Sequence, residues 1–136
     1  MTLTRALSTY AVTLPIFFAV DMLWLGTLAK AFYRRHLGYL LSPEVNWTAA
    51  ILFYLVFIAG IVFFAVKPAI EAGSPMRALV YGAFFGFVAY ATYDLTNHAT
   101  VRDWPMIVTI VDLLWGTVLC SVVAWLSYEV PSRGLQ

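Results

Sequence analysis

The sequence predicts an all-α protein, a four-helix transmembrane bundle that forms a single membrane domain over residues 1–136. Hydrophobic residues make up 62% of the chain and charged residues only 11%, whereas about a quarter of the residues of a soluble domain are charged. Charged side chains also bound four apolar stretches of 22 to 25 residues. About 20 residues suffice for a helix to cross the hydrocarbon. Helices are the expected form, because a lone strand would leave its backbone groups unsatisfied in lipid.

The first predicted span covers about residues 7–29 and lies between Arg5 and Lys30. A basic residue followed by an apolar run is also typical of a cleaved signal peptide. Here the apolar run is too long for such a peptide, and Asp21 interrupts it. We therefore interpret this segment as a retained transmembrane helix.

The other three spans cover about residues 47–66, 76–98 and 105–128, and a proline lies near the start of each. The largest connection, residues 32–45, contains basic and aromatic residues. It is predicted to lie along the headgroups as a short amphipathic helix.

Charge excludes one class of function and does not decide the orientation. The net charge of +1, without a basic stripe, argues against nucleic-acid binding. Four spans place both termini on one side of the membrane. Four basic side chains lie on each side before the amino terminus is counted, so the positive-inside rule is nearly balanced. We favour cytoplasmic termini.

Three aspartates lie inside the apolar stretches: Asp21, Asp94 and Asp112. An aspartate at the bilayer centre costs roughly 2.5–3.5 kcal/mol, so three cost on the order of 8–10 kcal/mol. That cost is comparable with the stability of a typical domain. The directions of spans 1, 3 and 4 place all three in the leaflet that faces the 1–2 and 3–4 connections. We predict one site there, in which these carboxyl groups act as acids, bases or proton carriers.

Aromatic and polar residues at a similar depth complete the predicted pocket. The apolar rings would form its walls, and the hydroxyl, amide and imidazole groups would contact a ligand. The alternative is structural, because intramembrane polar side chains also hold helices together through hydrogen bonds. The predicted ligand-binding residues are Trp24, Tyr54, Tyr90, Tyr93, Asn97, His98 and Trp115.

Small residues on the third span predict a close helix contact. Ala78, Gly82 and Gly86 are spaced four apart, which lets another helix approach closely. That helix can belong to the same bundle or to a second protomer.

The cofactor is unknown, and neither a metal nor haem is favoured. A metal site would use the three aspartates with His98, and oxygen and imidazole ligands suit Mg, Mn, Fe or Zn. The sequence contains none of the HxxxH, ExxH or DxxD ligand spacings. Haem held by two histidines is disfavoured because His36 is expected outside the bundle. Cys120 is the single cysteine, which excludes an intrachain disulfide and a cysteine metal cluster.

Three segments carry a resemblance to a known family. Residues 21–26, 93–97 and 112–116 contain the aspartates with neighbouring tryptophan, tyrosine and asparagine residues. In combination they resemble an uncharacterised bacterial membrane-protein family, domain of unknown function 2177, over nearly the whole chain. The resemblance implies a four-helix inner-membrane protein and a role close to envelope lipids. It implies no established activity or cofactor.

Three functions remain open at this stage. The first is binding or modification of an apolar or lipid-like molecule, for which neighbouring carboxyl groups can serve as acid and base. The second is a small proton-coupled transporter acting as a homodimer, since an intramembrane acid beside aromatic residues suits proton exchange. Small multidrug exporters have this size, but their acid is a glutamate in the first helix. The third is an accessory or structural subunit whose polar cluster holds the helices together.

Overall fold

A computed structural model describes residues 1–134 of the chain, with side chains described as far as Pro131. In this part of the chain, four helices are long and apolar enough to cross a membrane, and no strand is present. The fold is therefore the predicted all-α bundle. Its helices are α1 (Leu3–Leu37), α2 (Trp47–Ala72), α3 (Pro75–Thr100) and α4 (Met106–Gly134).

Side-chain caps define where three of the helices begin. The Oγ1 atom of Thr2 accepts a hydrogen bond from the first turn of α1. Asn46 and Ser74 do the same for α2 and α3, with donor–acceptor distances of 3.1 and 3.2 Å. Each cap satisfies a backbone N–H that has no partner within its own helix. Gly73 adopts the left-handed conformation (φ 60°), which allows α2 and α3 to be joined by a two-residue turn.

The first helix is longer than the sequence pattern indicates. A π-helical turn, Leu25–Ala29, ends the predicted span. A further α-helical segment, Lys30–Leu37, continues the helix beyond it. Leu37 is buried against Trp104 and Val108 at the start of α4. Burial of this apolar end favours continuation of the helix into the bundle, so residues 32–37 do not lie along the headgroups as a separate element.

Helices α3 and α4 form the closest contact in the bundle. A Cβ atom added to Gly86 would lie 2.8 Å from the Cβ of Cys120, and one added to Gly82 would lie 2.9 Å from the Cβ of Ala124. Such distances are too short for a Cβ, so the two backbones touch at these glycines. The small-residue run predicted on α3 therefore packs against α4 of the same chain.

Candidate functional site

The three intramembrane aspartates are all buried. Asp94 exposes no surface, and Asp21 and Asp112 expose 6% each. Asp94 lies two turns before the end of α3, and Asp112 lies two turns after the start of α4. The close α3–α4 contact brings their carboxyl groups within hydrogen-bonding reach of each other.

The Asp94 carboxyl group is the least satisfied polar group of this region. Both of its oxygens are buried, and neither has a hydrogen-bond donor among the described residues. Two ionised carboxylates in contact repel each other, whereas one proton between them forms a short, strong hydrogen bond. A proton shared by Asp94 and Asp112 would remove this repulsion and give each carboxyl group a partner.

Tyr33 is a member of this site that the sequence did not indicate. Its hydroxyl group donates a hydrogen bond to Oδ1 of Asp112. The sequence-based interpretation placed Tyr33 in the connection after the first span, at the level of the headgroups. The one signal for its position is the lack of a proline between Leu25 and Leu37, which permits the helix to continue.

The π-helical turn of α1 explains how Tyr33 faces the same interior as Asp21. In an uninterrupted α-helix, twelve residues of separation would rotate the two side chains by about 120° relative to each other. A π turn accommodates one additional residue, which removes about 100° of this rotation. The turn at Leu25–Ala29 lies between them and restores a common face.

Two tryptophans connect Asp21 to the Tyr33–Asp112 hydrogen bond. The rings of Trp24 and Trp115 are stacked, with centroids 5.0 Å apart and an interplanar angle of 20°. The indole N–H of Trp115 approaches the Asp21 carboxylate, and that of Trp24 approaches the Tyr33 hydroxyl. Neither N–H reaches the geometry of a normal hydrogen bond. The stacked pair thus forms a wall with two incompletely satisfied donors.

Two adjoining cavities lie beside the carboxyl groups. The smaller has a volume of about 140 Å³ and the larger about 370 Å³, and Phe53 and Tyr90 line both. The smaller cavity is lined by Phe17, Asp21, Trp24, Leu25, Tyr33, Phe53, Tyr54, Tyr90 and Trp115. The larger is lined by Phe53, Phe57, Ala89, Tyr90, Tyr93 and Asp112.

The larger cavity opens on the outside of the bundle between α2 and α3. Phe53 and Tyr93 at its rim are 53% and 61% exposed. Both residues belong to membrane-spanning segments, so this opening faces the hydrocarbon of the bilayer. The cavity thus extends from the outer surface of the bundle to Asp112.

Two of the predicted ligand-binding residues line neither cavity. Asn97 lies within hydrogen-bonding reach of the Tyr93 hydroxyl. His98 belongs to a separate cluster at the α3–α4 connection: its Nδ1 is 3.2 Å from Oγ1 of Thr109, and that hydroxyl also accepts a hydrogen bond from Trp104 at 3.0 Å. In this position His98 ties the two helix ends together.

The four side chains considered for a metal ion do not converge. Within residues 1–134, no group of three or more His, Cys, Asp or Glu side chains could hold a metal ion. The second histidine, His36, packs its ring against Phe32, with centroids 4.7 Å apart.

Comparison with known proteins identifies the family and no more. No curated protein matches the chain, and no solved structure matches it. The family model described as "Predicted membrane protein (DUF2177)" matches residues 6–129, which include all of α2 and α3 and all but the outermost turns of α1 and α4. The chain therefore belongs to the DUF2177 family of membrane proteins.

Proposed function

We propose that this protein takes an apolar or lipid-like molecule from the bilayer into the 370 Å³ cavity and places the molecule's polar group against Asp112. The observation that carries the proposal is an apolar cavity that opens toward lipid and ends on a buried carboxyl group. Ligand sites in proteins are typically apolar cavities of this size with a few polar groups that orient the ligand.

The surroundings of Asp112 support a role in proton transfer. Tyr33 already donates a hydrogen bond to one of its oxygens, and Asp94 lies behind it as a second carboxyl group. A bound hydroxyl or ammonium group at Asp112 would donate a proton to this pair, and a bound carbonyl or amine group would accept one from it. General acid–base catalysis by positioned side chains commonly contributes 10²- to 10⁴-fold to a rate. Asp21 borders the neighbouring cavity and would contact a ligand that extends past Tyr90.

The test is native mass spectrometry of the protein after gentle extraction, with organic extraction and identification of whatever is bound. We expect a defined apolar molecule in the wild-type protein. Ala89→Phe places a ring in the cavity and should abolish its retention. The matched control is Ala59→Phe on the exposed face of α2, which should leave retention unchanged. Equal occupancy in the two variants would overturn the proposed binding site.

The chemistry is tested separately with Asp112→Asn, which keeps the size of the side chain and removes its ionisation. If the bound molecule is modified by the protein, we expect Asp112→Asn to retain the molecule in its unmodified form. A variant that yields the same molecule as the wild-type protein would exclude acid–base chemistry at Asp112 and leave a binding role.

Proton-coupled transport is a second candidate, and the Asp94–Asp112 pair favours it. A carboxyl pair that can hold one proton within a membrane span is what proton exchange with a substrate requires. The expected homodimer receives no support from the glycines of α3, because they are covered by α4. Proton flux driven by substrate in proteoliposomes, lost in Asp94→Asn, would favour transport over binding.

For the location of the protein, we propose the bacterial inner membrane with cytoplasmic termini. The amino-terminal ammonium group adds a positive charge to the side that carries the termini, which breaks the balance of basic side chains. The test uses a Cys120→Ala background with one new cysteine, either Ser42→Cys or Ala72→Cys. A membrane-impermeant maleimide applied to intact cells should label the first and not the second, whereas the reverse pattern would invert the orientation.

A further inference from the structure

A second depression in the protein surface lies apart from the polar site. It is a groove of about 520 Å³ between α2 and α3, and it shares no lining residue with either cavity. Its lining is almost entirely apolar, and Phe64 and Phe84 at its walls are 57% and 68% exposed. The groove is lined by Phe64, Val80, Tyr81, Phe84, Phe85 and Val88.

Two cations lie near the α2–α3 turn, beyond one end of this groove: Arg77 beside Tyr81, which lines the groove, and Lys67 beside Phe63, which is next to the lining residue Phe64. Arg77 lies one turn before Tyr81, with its guanidinium carbon 5.6 Å from the centre of the Tyr81 ring. Lys67 lies one turn after Phe64, with its ammonium group 5.2 Å from the Phe63 ring. Glu71, in the last turn of α2 near Lys67, pairs with the amino terminus at 3.3 Å.

The length of the groove matches one leaflet of the bilayer. From Arg77 to Val88 the helix rises by about 16 Å, at about 1.5 Å per residue. Half of a typical hydrocarbon core is about 15 Å thick. A headgroup held at the cations would therefore lay its acyl chain along the whole groove, toward the middle of the membrane.

We propose that this groove binds one anionic phospholipid, with its phosphate at Arg77 and Lys67 and an acyl chain along Tyr81, Phe84 and Val88. Charge complementarity selects the occupant: the cations are at the headgroup end, and the walls below them are apolar. The Tyr81 hydroxyl adds a hydrogen-bond donor near the phosphate. A second copy of this chain would have to bring an acidic group to the same end to replace the lipid.

The test is native mass spectrometry of the detergent-extracted full chain titrated with dioleoyl phosphatidylglycerol or dioleoyl phosphatidylcholine, which share their acyl chains. We expect the anionic lipid to be retained preferentially. Lys67→Gln and Arg77→Gln should each weaken its retention by about fivefold. The matched controls are Arg34→Gln and Arg35→Gln in the last turns of α1, at the other side of the membrane, which should leave retention unchanged.

A second pair of variants tests the groove without changing any charge. Val80→Trp would fill the groove, and Val56→Trp places the same ring on an exposed position of α2 outside it. We expect loss of the bound lipid in Val80→Trp alone, with the circular dichroism spectrum unchanged in both. Equal retention of the two lipids, or equal effects of the two tryptophans, would overturn the proposal. So would a lipid-free dimer that Val80→Trp dissociates.

Discussion

The two ends of the α3–α4 pair differ in how closely the helices pack and in how polar their surroundings are. We call the end toward the termini the packed half, with Ala78, Gly82, Cys120 and Ala124 at the contact, all fully or nearly fully buried. There the backbones touch, and no room is left between the helices. The end toward the 1–2 and 3–4 connections, which we call the polar half, contains the two cavities and the hydrogen-bonded groups around Asp21, Asp94 and Asp112.

Unsatisfied polar atoms are concentrated in the polar half. Of the buried side-chain atoms without a hydrogen-bond partner in the described residues, both oxygens of Asp94 and the indole nitrogens of Trp24 and Trp115 lie there. The Ser127 hydroxyl is the exception. A region that served only to hold helices together would satisfy its own donors and acceptors, because the bilayer offers no water to do so. The packed half therefore holds the helices together, whereas the polar half leaves several buried donors and acceptors without partners.

The largest expected effect on stability comes from disrupting the α3–α4 contact of the packed half. Gly86→Ala introduces a Cβ 2.8 Å from the Cβ of Cys120 and should lower the free energy of unfolding by about 2–3 kcal/mol. Gly26→Ala is the control, because its Cβ would meet no atom within 4 Å. Unfolding in mixed micelles, followed by circular dichroism, measures both. Equal stability of the two variants would mean that the helices are not in contact at Gly86.

In the polar half, removal of a carboxyl group should instead raise the free energy of unfolding. Asp94→Asn replaces a buried carboxyl group, which can bond to Asp112 only through a shared proton, with an amide that donates a hydrogen bond to Asp112 without one, and we expect a stability gain of about 1–2 kcal/mol. The same assay measures it. Asp103→Asn is the control on the exposed α3–α4 connection, where Asn tolerates the left-handed backbone (φ 57°) and should change nothing. A loss of stability in Asp94→Asn would show that the carboxyl group makes a favourable interaction, such as with a bound cation.

A smaller effect tests whether Tyr33 belongs to the polar half. Tyr33→Phe removes the hydrogen bond to Asp112 and should cost about 1 kcal/mol, as intramembrane hydrogen bonds typically do. The loss should become smaller when Asp112 is already asparagine, whose neutral oxygen accepts less strongly, and a double-mutant cycle measures the difference. Tyr39→Phe is the control, since its exposed hydroxyl donates to the Asp103 carbonyl at 2.7 Å. Additive effects of Tyr33→Phe and Asp112→Asn would contradict the contact.

Much of this comparison could be predicted from the sequence. The four spans follow from the transfer free energy of each segment, and that quantity depends on composition alone. The predicted depth of the three aspartates follows from counting along each span, but depth alone does not require that Asp94 and Asp112 approach each other, as they do in the structure. The spacing of Gly82 and Gly86 predicts a close helix contact, although not which helix makes it.

The recurrence of Val-Asp-x-Leu-Trp shows that contacts between helices cannot be predicted by counting residues along each span. Residues 20–24 and 111–115 share the pattern. The antiparallel approach of α1 and α4 makes the two tryptophans stack and turns Trp115 toward Asp21. Nothing in either segment alone reveals this pairing, because it depends on the rotation of each helix about its own axis. Likewise, the spacing of His98 and Asp94 suggests a pair, but the α3–α4 connection gives His98 a nearer partner in Thr109.

By itself, the sequence determined that the chain has four segments long and apolar enough to cross the membrane, and it predicted that the three aspartates share one leaflet and that α3 presents a face of small residues. Each of these properties can be predicted from single segments, because it depends on their free energy of transfer into lipid and on the positions of residues along them. The tertiary structure alone decided that α4 covers the glycines, that a π turn brings Tyr33 onto Asp112, and that the cavity opens toward lipid between α2 and α3. These features depend on helix rotation and register, which are set by contacts between residues distant in the chain.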